Sequence, residues 1–306
     1  MPKAARFSRY GGPEVLTVEE VPLPEPGRGQ VRVAVAAAGV NAIDWKIRSG
    51  FFAGSDAPDE PQGTGFDLAG TVDAVGEGVR SLRPGTAVFG KAATGAVATH
   101  ALADADGLVA KPDWLSFPLA AGLPVVAETA YRTLRDLGLR AGHTLLIHAV
   151  SGGVGLVAAQ LALSRGATVI GTASRGHHDF LTELGVRPVE YGEGLLERVR
   201  GVTDSVDLVL DAAGRDVLGL SVELTGDPDR VLTIADGNAG AHGVRFSGGG
   251  PDAAPLPEVF AEVLPMLESG ALRLPIQQTF PLERIADAHR LSEDGHGRGK
   301  IVIEVG

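Results

Sequence analysis

The sequence predicts an α/β protein in which a β-rich domain, assembled from both ends of the chain, is interrupted by a doubly wound parallel-sheet domain. Three observations carry this. Short β-rich runs punctuated by Gly and Pro fill the first third; from residue 143 onward β-branched runs alternate with helical segments; and the chain closes on a strand, 299–305, with no helix after it. Strands buried on both faces and alternating with helices form a parallel sheet covered on each side.

The elements follow in order. Residues 30–39 begin with period-two alternation, and 66–75 and 86–90 are further strands, bounded by Gly-Pro and Gly-Glu-Gly turns. Helical apolar spacing runs over 119–137 and is interrupted at Pro124. Strands are expected at 143–149, 167–173, 206–211 and 230–235, and helices at 153–165, 177–184, 194–199 and 217–224. A further helix is expected at 256–269, and the last strand is free to return to the first domain. The domains are therefore placed at 1–118 with 268–306, and at 119–267.

Composition removes several function classes. The chain of 306 residues carries 27 basic and 38 acidic side chains, a net charge of −11 that disfavours a nucleic-acid partner. With no cysteine, disulfides, thiolate nucleophiles and cysteine-liganded metals are excluded. No apolar run approaches the roughly 20 residues of a membrane span, and Met1-Pro2-Lys3-Ala4-Ala5-Arg6-Phe7 lacks a leader's apolar stretch. The expectation is a cytoplasmic protein with no membrane partner.

The predicted strand 143–149 runs directly into Ala149-Val150-Ser151-Gly152-Gly153-Val154-Gly155 and then a helix. Glycine allows the tight turn and close approach of a pyrophosphate, and the helix N-terminus offers N–H groups and positive dipole to the phosphates. Strand, turn, helix and a following strand are the context this dinucleotide signal requires. The second strand ends in Ser174-Arg175-Gly176-His177-His178, where an NAD site would place Asp or Glu against the ribose 2′-hydroxyl. Arg175 instead suits a 2′-phosphate, so NADPH is the expected cofactor.

Further segments carry a family resemblance. They are the run from Gly39 to Arg48 containing Asn41-Ala42-Ile43-Asp44-Trp45, Gly65-Phe66-Asp67-Leu68-Ala69-Gly70, Thr129-Ala130-Tyr131, the glycine turn, Val209-Leu210-Asp211-Ala212-Ala213-Gly214, and Arg298-Gly299-Lys300-Ile301-Val302. Over nearly its whole length the chain resembles the medium-chain dehydrogenase/reductase superfamily, in particular its zinc-independent quinone oxidoreductase, zeta-crystallin-like branch. The resemblance implies a GroES-like catalytic domain, an inserted Rossmann domain, a cleft for NADPH and a homodimer. On matched positions it places Asn41 and Thr129 near the nicotinamide, Gly152, Gly153, Val154 and Gly155 (with Ser151) at the pyrophosphate, and Ser174, Arg175 and Tyr191 at the 2′-phosphate. It also places Ile234, Ala235 and Asp236 along the nicotinamide edge, and Lys300 on the strand closing the cleft. Zinc members of the superfamily need a catalytic Cys and a Gly-His-Glu run. Here Asp44 and Gly65-Phe66-Asp67 stand near those positions, and His100 with Asp44 or Asp67 is a poor substitute, so no metal is expected.

Without metal or thiol, hydrogen-bond donors must stabilise the oxygen that gains charge when hydride reaches a quinone or an α,β-unsaturated carbonyl. Asn41, Tyr131 and Lys300 are the candidate donors, although Tyr131 also has the spacing of a core residue. Asn41, Trp45, Phe51 and Phe52 are candidates for substrate contact. The stretch 246–251 reads equally as a lid or a permissive loop. No Tyr-x-x-x-Lys pair exists, since Tyr131 precedes Arg135 and Tyr191 precedes Leu195, which excludes a short-chain dehydrogenase. Alternatives to the quinone or enone reductase are an enoyl-thioester, polyketide-tailoring reductase and a non-catalytic NADPH-binding protein.

Overall fold

The computed structural model describes residues 1–53, 57–295 and 297–306. Its contacts divide the chain into two compact units: Met1–Val125 with Pro255–Ala261 and Pro275–Gly306, and Val126–Ala254 with Glu262–Leu274.

In chain order the first unit carries β1 (Lys3–Phe7), β2 (Thr17–Glu20), β3 (Gln30–Val40), α1 (Ala42–Arg48), β4 (Gln62–Gly63), β5 (Asp67–Val75), β6 (Ala87–Lys91), β7 (His100–Asp104), β8 (Leu108–Ala110) and α2 (Phe117–Ala121). The second carries α3 (Pro124–Asp136, from Val126 onward), β9 (Thr144–His148), α4 (Gly153–Ser164), β10 (Thr168–Thr172), α5 (His178–Glu183), β11 (Arg187–Val189), α6 (Leu195–Arg200), β12 (Leu208–Asp211), α7 (Leu218–Thr225), β13 (Val231–Thr233) and β14 (Arg245–Phe246). Helix α8 (Leu256–Glu268) is followed by β15 (Ile276–Pro281), α9 (Ile285–Asp294) and β16 (Lys300–Glu304), the last three in the first unit.

The main sheet of the first unit has the order β15-β16-β3-β5-β6-β8, with β7 also pairing β3. Strand β3 starts one-sided, with Val31, Val33 and Val35 inward, and becomes buried on both faces over residues 37–40 where α2 covers it. Gly39 permits that cover, because a Cβ there would lie 2.3 Å from the Ala121 carbonyl oxygen. The register decides where the polar residues meet. Gly39 faces Asp67 across β3 and β5, and Val40 faces Ile301 across β3 and β16, so Asn41, Asp67 and Lys300 gather at one end of three adjacent strands.

The second unit is a six-stranded sheet, β11-β10-β9-β12-β13-β14, parallel throughout. The chain winds outward from β9 through β10 and β11, then returns to the other side of β9 for β12, β13 and β14. Between β9 and β12 the direction of winding reverses, and the carboxyl ends of strands at such a switch point are where open α/β sheets bind ligands. The glycine turn follows β9 directly. Helix α4 is buried over residues 155–162, an apolar element with small side chains pressed on the sheet.

Residues 247–254 are held to α3. Arg132 and Glu128, each 2% exposed, pair at 2.9 Å; the Arg132 guanidinium also donates to Ser247 Oγ, and Glu128 Oε1 accepts from the Ala254 N–H at 3.0 Å. Arg135 adds a bond to the Asp252 carbonyl at 3.1 Å. Of the two readings of 246–251, these anchors on either side oppose a freely moving lid. Among the described residues no helix is long and apolar enough to cross a membrane.

Candidate active site

In the second unit the strand ends are braced by buried polar side chains. Thr172 Oγ1, at the end of β10, accepts the Ala149 N–H at 3.0 Å, and the Thr172 carbonyl accepts that of Val150. This holds Ala149 at φ +57°, a left-handed conformation uncommon for a residue with a side chain. Asp211 ends β12 and accepts the N–H groups of Ala213 and Gly214 (2.8 and 3.0 Å) and the Thr233 hydroxyl (2.7 Å). Thr233 ends β13 and in turn accepts from Ala235 and Asp236, each at 3.0 Å. His148, fully buried, lies 3.0 Å from Ser221 Oγ, and burial pushes its pKa down to about 4 against the opposing pull of Asp211. The glycine turn after β9 is thus tied to the neighbouring strand β10, and the loops after β12 and β13 are tied to the strands before them.

At the turn itself, Gly152 caps α4 without any side-chain bond to the helix, leaving the first-turn N–H groups of Gly153, Val154 and Gly155 without an intrahelical acceptor. A Cβ on Gly152 would meet only the Ala149 oxygen at 3.4 Å, whereas one on Gly155 would meet backbone at 2.5 and 2.6 Å. The two glycines therefore serve different surfaces, Gly155 the strand beneath and Gly152 the space above. Ser151 sits half-buried in the turn. Ser174 precedes the short 3-10 turn Arg175–His177 at the end of β10, and the Arg175 side chain is 86% exposed, 3.7 Å from Glu190. Tyr191 is exposed, and its loop is held by Arg198, whose guanidinium donates to the carbonyls of Glu190, Tyr191 and Gly192. Glu190 and Arg198 were not distinguished by the sequence, since their roles depend on folding back from α6. An uncapped helix start, an open glycine and an exposed arginine with no carboxylate at the end of β10 fit a dinucleotide bearing a 2′-phosphate.

The other predicted residues divide. Thr129 is buried in α3 and its carbonyl accepts from Thr133. Tyr131 lies under the Arg165 guanidinium, 5.2 Å from its ring, and Arg165 is bound at 2.9 Å to Glu262. Ile234, Ala235 and Asp236 follow β13 and are half-buried.

In the first unit Asn41, Asp44, Asp67 and Lys300 form one buried cluster. The Asn41 N–H donates to Asp44 Oδ2 and its Nδ2 to Asp67 Oδ2, both at 2.8 Å. Lys300 Nζ donates to Asn41 Oδ1 and to the Val40 carbonyl at 2.9 Å, and lies 3.9 Å from Asp67. Asp67 Oδ1 accepts the Val125 N–H at 2.9 Å. Burial raises the Asp44 pKa to about 7, partly offset by the bond from Asn41, with Asp67 raising it further and Lys300 opposing. Burial also pushes Asp67 up and Lys300 down, while their mutual attraction opposes both shifts. Trp45 is half-buried; Phe51 and Phe52 pack edge to face at 5.0 Å and are each 57% exposed, so the core does not account for them.

A zinc ion does not fit this donor set. Among the described residues no three His, Asp or Glu are grouped to hold one. His100 faces Asp73 at 3.5 Å rather than Asp44 or Asp67, and those two carboxylates already face Asn41 and the chain's own ammonium at Lys300.

Residues 27–113 match the alcohol dehydrogenase GroES-like domain model, and 184–303 the model described as zinc-binding dehydrogenase. A quinone oxidoreductase of Lama guanicoe is 34% identical, the match covering 98% of this chain and 97% of that one. The spectinabilin polyketide synthase system protein NorB of Streptomyces orinoci is 37% identical over 97% of this chain, which spans only 14% of NorB. The crystal structure of Escherichia coli quinone oxidoreductase complexed with NADPH superposes with a TM-score of 0.88 at 27% identity, covering 99% of each chain.

Proposed function

The chain belongs to the quinone oxidoreductase family of medium-chain dehydrogenases/reductases, and from that premise we propose that it is an NADPH-dependent reductase of quinones or α,β-unsaturated carbonyls that works without a metal. The observation that carries the reading is the open, uncapped start of α4 at the sheet's switch point, with Arg175 in place of an acid at the end of β10. When bound, NADPH supplies a hydride from its nicotinamide C4.

We assign Ser151, Gly152, Gly153, Val154 and Gly155 to the pyrophosphate, and Ser174, Arg175 and Tyr191 to the 2′-phosphate. Thr129 and the 234–236 loop are assigned to the nicotinamide end, together with Asn41 and Lys300 of the first unit. Trp45, Phe51 and Phe52 are assigned to the substrate. Asn41 is the donor that steadies charge on the acceptor oxygen, and bulk water delivers the final proton. Lys300 serves through Asn41, because its ammonium already faces Val40, Asn41 and Asp67. Tyr131 stacks with Arg165 and is given no part in the chemistry. We place the protein in the cytoplasm as a homodimer.

The test is loss of NADPH absorbance on addition of phenanthrenequinone, naphthoquinones or simple enones, with and without a chelator. Substrate-dependent oxidation unaffected by chelator is expected. Tight NADPH binding with no oxidation across the panel would leave a non-catalytic binding protein, and stoichiometric zinc would overturn the metal-free assignment. The similarity to a polyketide synthase component favours one second reading, reduction of an enoyl thioester. Faster turnover of crotonyl thioesters than of any quinone would select it.

A further inference from the structure

We propose that Asp67 and Lys300 are positioning residues that lock the Asn41 amide in one of its two flipped orientations, so that it offers a single fixed N–H donor. What that donor acts on rests on the reductase reading above; the lock rests on geometry alone. A carboxamide turned over exchanges its oxygen and its NH2 with almost no change of shape, so the choice between them is made by hydrogen-bond partners.

Around Asn41 the partners are of opposite kinds. The Lys300 ammonium can only donate, and it faces Oδ1; the Asp67 carboxylate accepts from Nδ2 at 2.8 Å. Turning the amide over would set NH2 against ammonium and oxygen against carboxylate. Lys300 is 3% exposed and Asp67 fully buried, so water screens neither conflict, and two charge-assisted bonds would be replaced by two repulsions. Both jaws of the clamp are anchored on main chain, Lys300 by the Val40 carbonyl and Asp67 by the Val125 N–H, each at 2.9 Å. The Asn41 backbone is itself tied to Asp44.

One of the two Nδ2–H bonds is taken by Asp67, and among the described residues no group accepts the second. An ammonium on Oδ1 also draws electron density through the amide, which strengthens the remaining N–H as a donor. Asp67 and Lys300 thus set both the direction and the strength of a donor that neither supplies.

The double variant Asp67→Asn with Lys300→Met removes one charge of each sign, so the net charge of the buried site is kept and its volume nearly unchanged. The new amide at position 67 still accepts from Val125 through its oxygen, which turns its NH2 toward Asn41 and invites the Asn41 amide to turn over. At saturating NADPH kcat should fall about 10- to 100-fold. In nitrogen-edited spectra the wild-type Asn41 NH2 proton donated to Asp67 should stand well downfield of its partner, and the double variant should move it back toward the ordinary carboxamide position. Lys300→Arg keeps a donor and a positive charge, so the Asn41 proton should stay downfield as in the wild type; its return to the ordinary carboxamide position there would overturn the lock. Wild-type kcat with unmoved Asn41 signals in the double variant would do the same. Should the wild type reduce none of the quinones or enones, the spectra still decide the lock, and the reductase reading alone falls.

Discussion

Substitutions at Gly155 and Gly152 separate what the glycine turn does for the fold from what it does for the cofactor. A Cβ on Gly155 would lie 2.5 Å from the Ala149 carbonyl oxygen and 2.6 Å from Val150 Cα, backbone atoms that cannot rotate aside. Helix α4 must then lift from β9 or the turn must open, and overpacking of this kind costs about 1–3 kcal/mol. In a protein of this size that lowers Tm by roughly 2–10 °C. At Gly152 the backbone (φ −72°, ψ 167°) suits any residue and the nearest obstacle is 3.4 Å away, so Gly152→Val should melt within about 0.5 kcal/mol of wild type. Its methyls would stand where the pyrophosphate is proposed to approach, and NADPH affinity should fall by at least about 100-fold, roughly 2.8 kcal/mol. Thermal unfolding and NADPH fluorescence titration on both variants read the two effects apart. A Gly155→Ala protein that melts like wild type, or a Gly152→Val protein with undiminished NADPH affinity, would refute the division of labour.

Arg175→Ala should weaken NADPH at least about tenfold while leaving NADH within about twofold, because its exposed guanidinium is assigned to the extra phosphate; equal losses in parallel titrations would count against the cofactor assignment. Arg132→Met removes the charged partner of the buried Glu128 carboxylate and should cost about 3–5 kcal/mol in denaturant unfolding, with faster proteolytic cleavage within 247–254; a variant as stable and protease-resistant as wild type would show that the pair is not what holds that segment. His289 is 1% exposed with neither ring nitrogen bonded among the described residues; burial, then Arg48 beside it (itself paired with Glu293), depress its pKa to about 3. Because the unfolded chain takes up a proton there below about pH 6.5 and the folded one does not, this contribution is present above that value and lost as pH falls toward about 3. His289→Leu should therefore stabilise the protein by about 2 kcal/mol more at about pH 5 than at about pH 7.5, and a pH-independent difference in unfolding free energy would contradict the assigned shift.

Local pattern explains why much of this architecture is legible in the sequence. The strands expected at 30–39, 66–75 and 143–149 are β3, β5 and β9 within a residue or two, and Pro124 does divide α2 from α3, standing at the first position of the latter where its missing N–H is harmless. The glycine turn is legible because strand, turn and helix are contiguous. What could not be read is pairing over distance. Asp67 stands 26 residues from Asn41 and Lys300 stands 259, and only the register of β3 with β5 and β16 makes them neighbours. From sequence Asp67 looks like a degraded metal ligand and Lys300 like a free donor; the fold makes them each other's counter-charge. Asp211 and Thr233 are similar, ordinary strand-end residues until β12 and β13 align to join them. Strands β1, β2 and β14 carry too few residues or too little periodicity to announce themselves.

The place of β16 has a consequence for how the protein comes into being. It lies inside its sheet, between β15 and β3, yet it is translated after every other strand of that sheet. At about 5–20 residues per second, a ribosome that has finished Asn41 needs roughly 13–50 s more to reach Lys300. During that interval β3 has an unpaired edge along residues 37–40 and Asp67 lacks the Lys300 ammonium. A nascent chain stalled before residue 300 therefore carries an exposed sheet edge in its first unit, whatever the state of its dinucleotide unit.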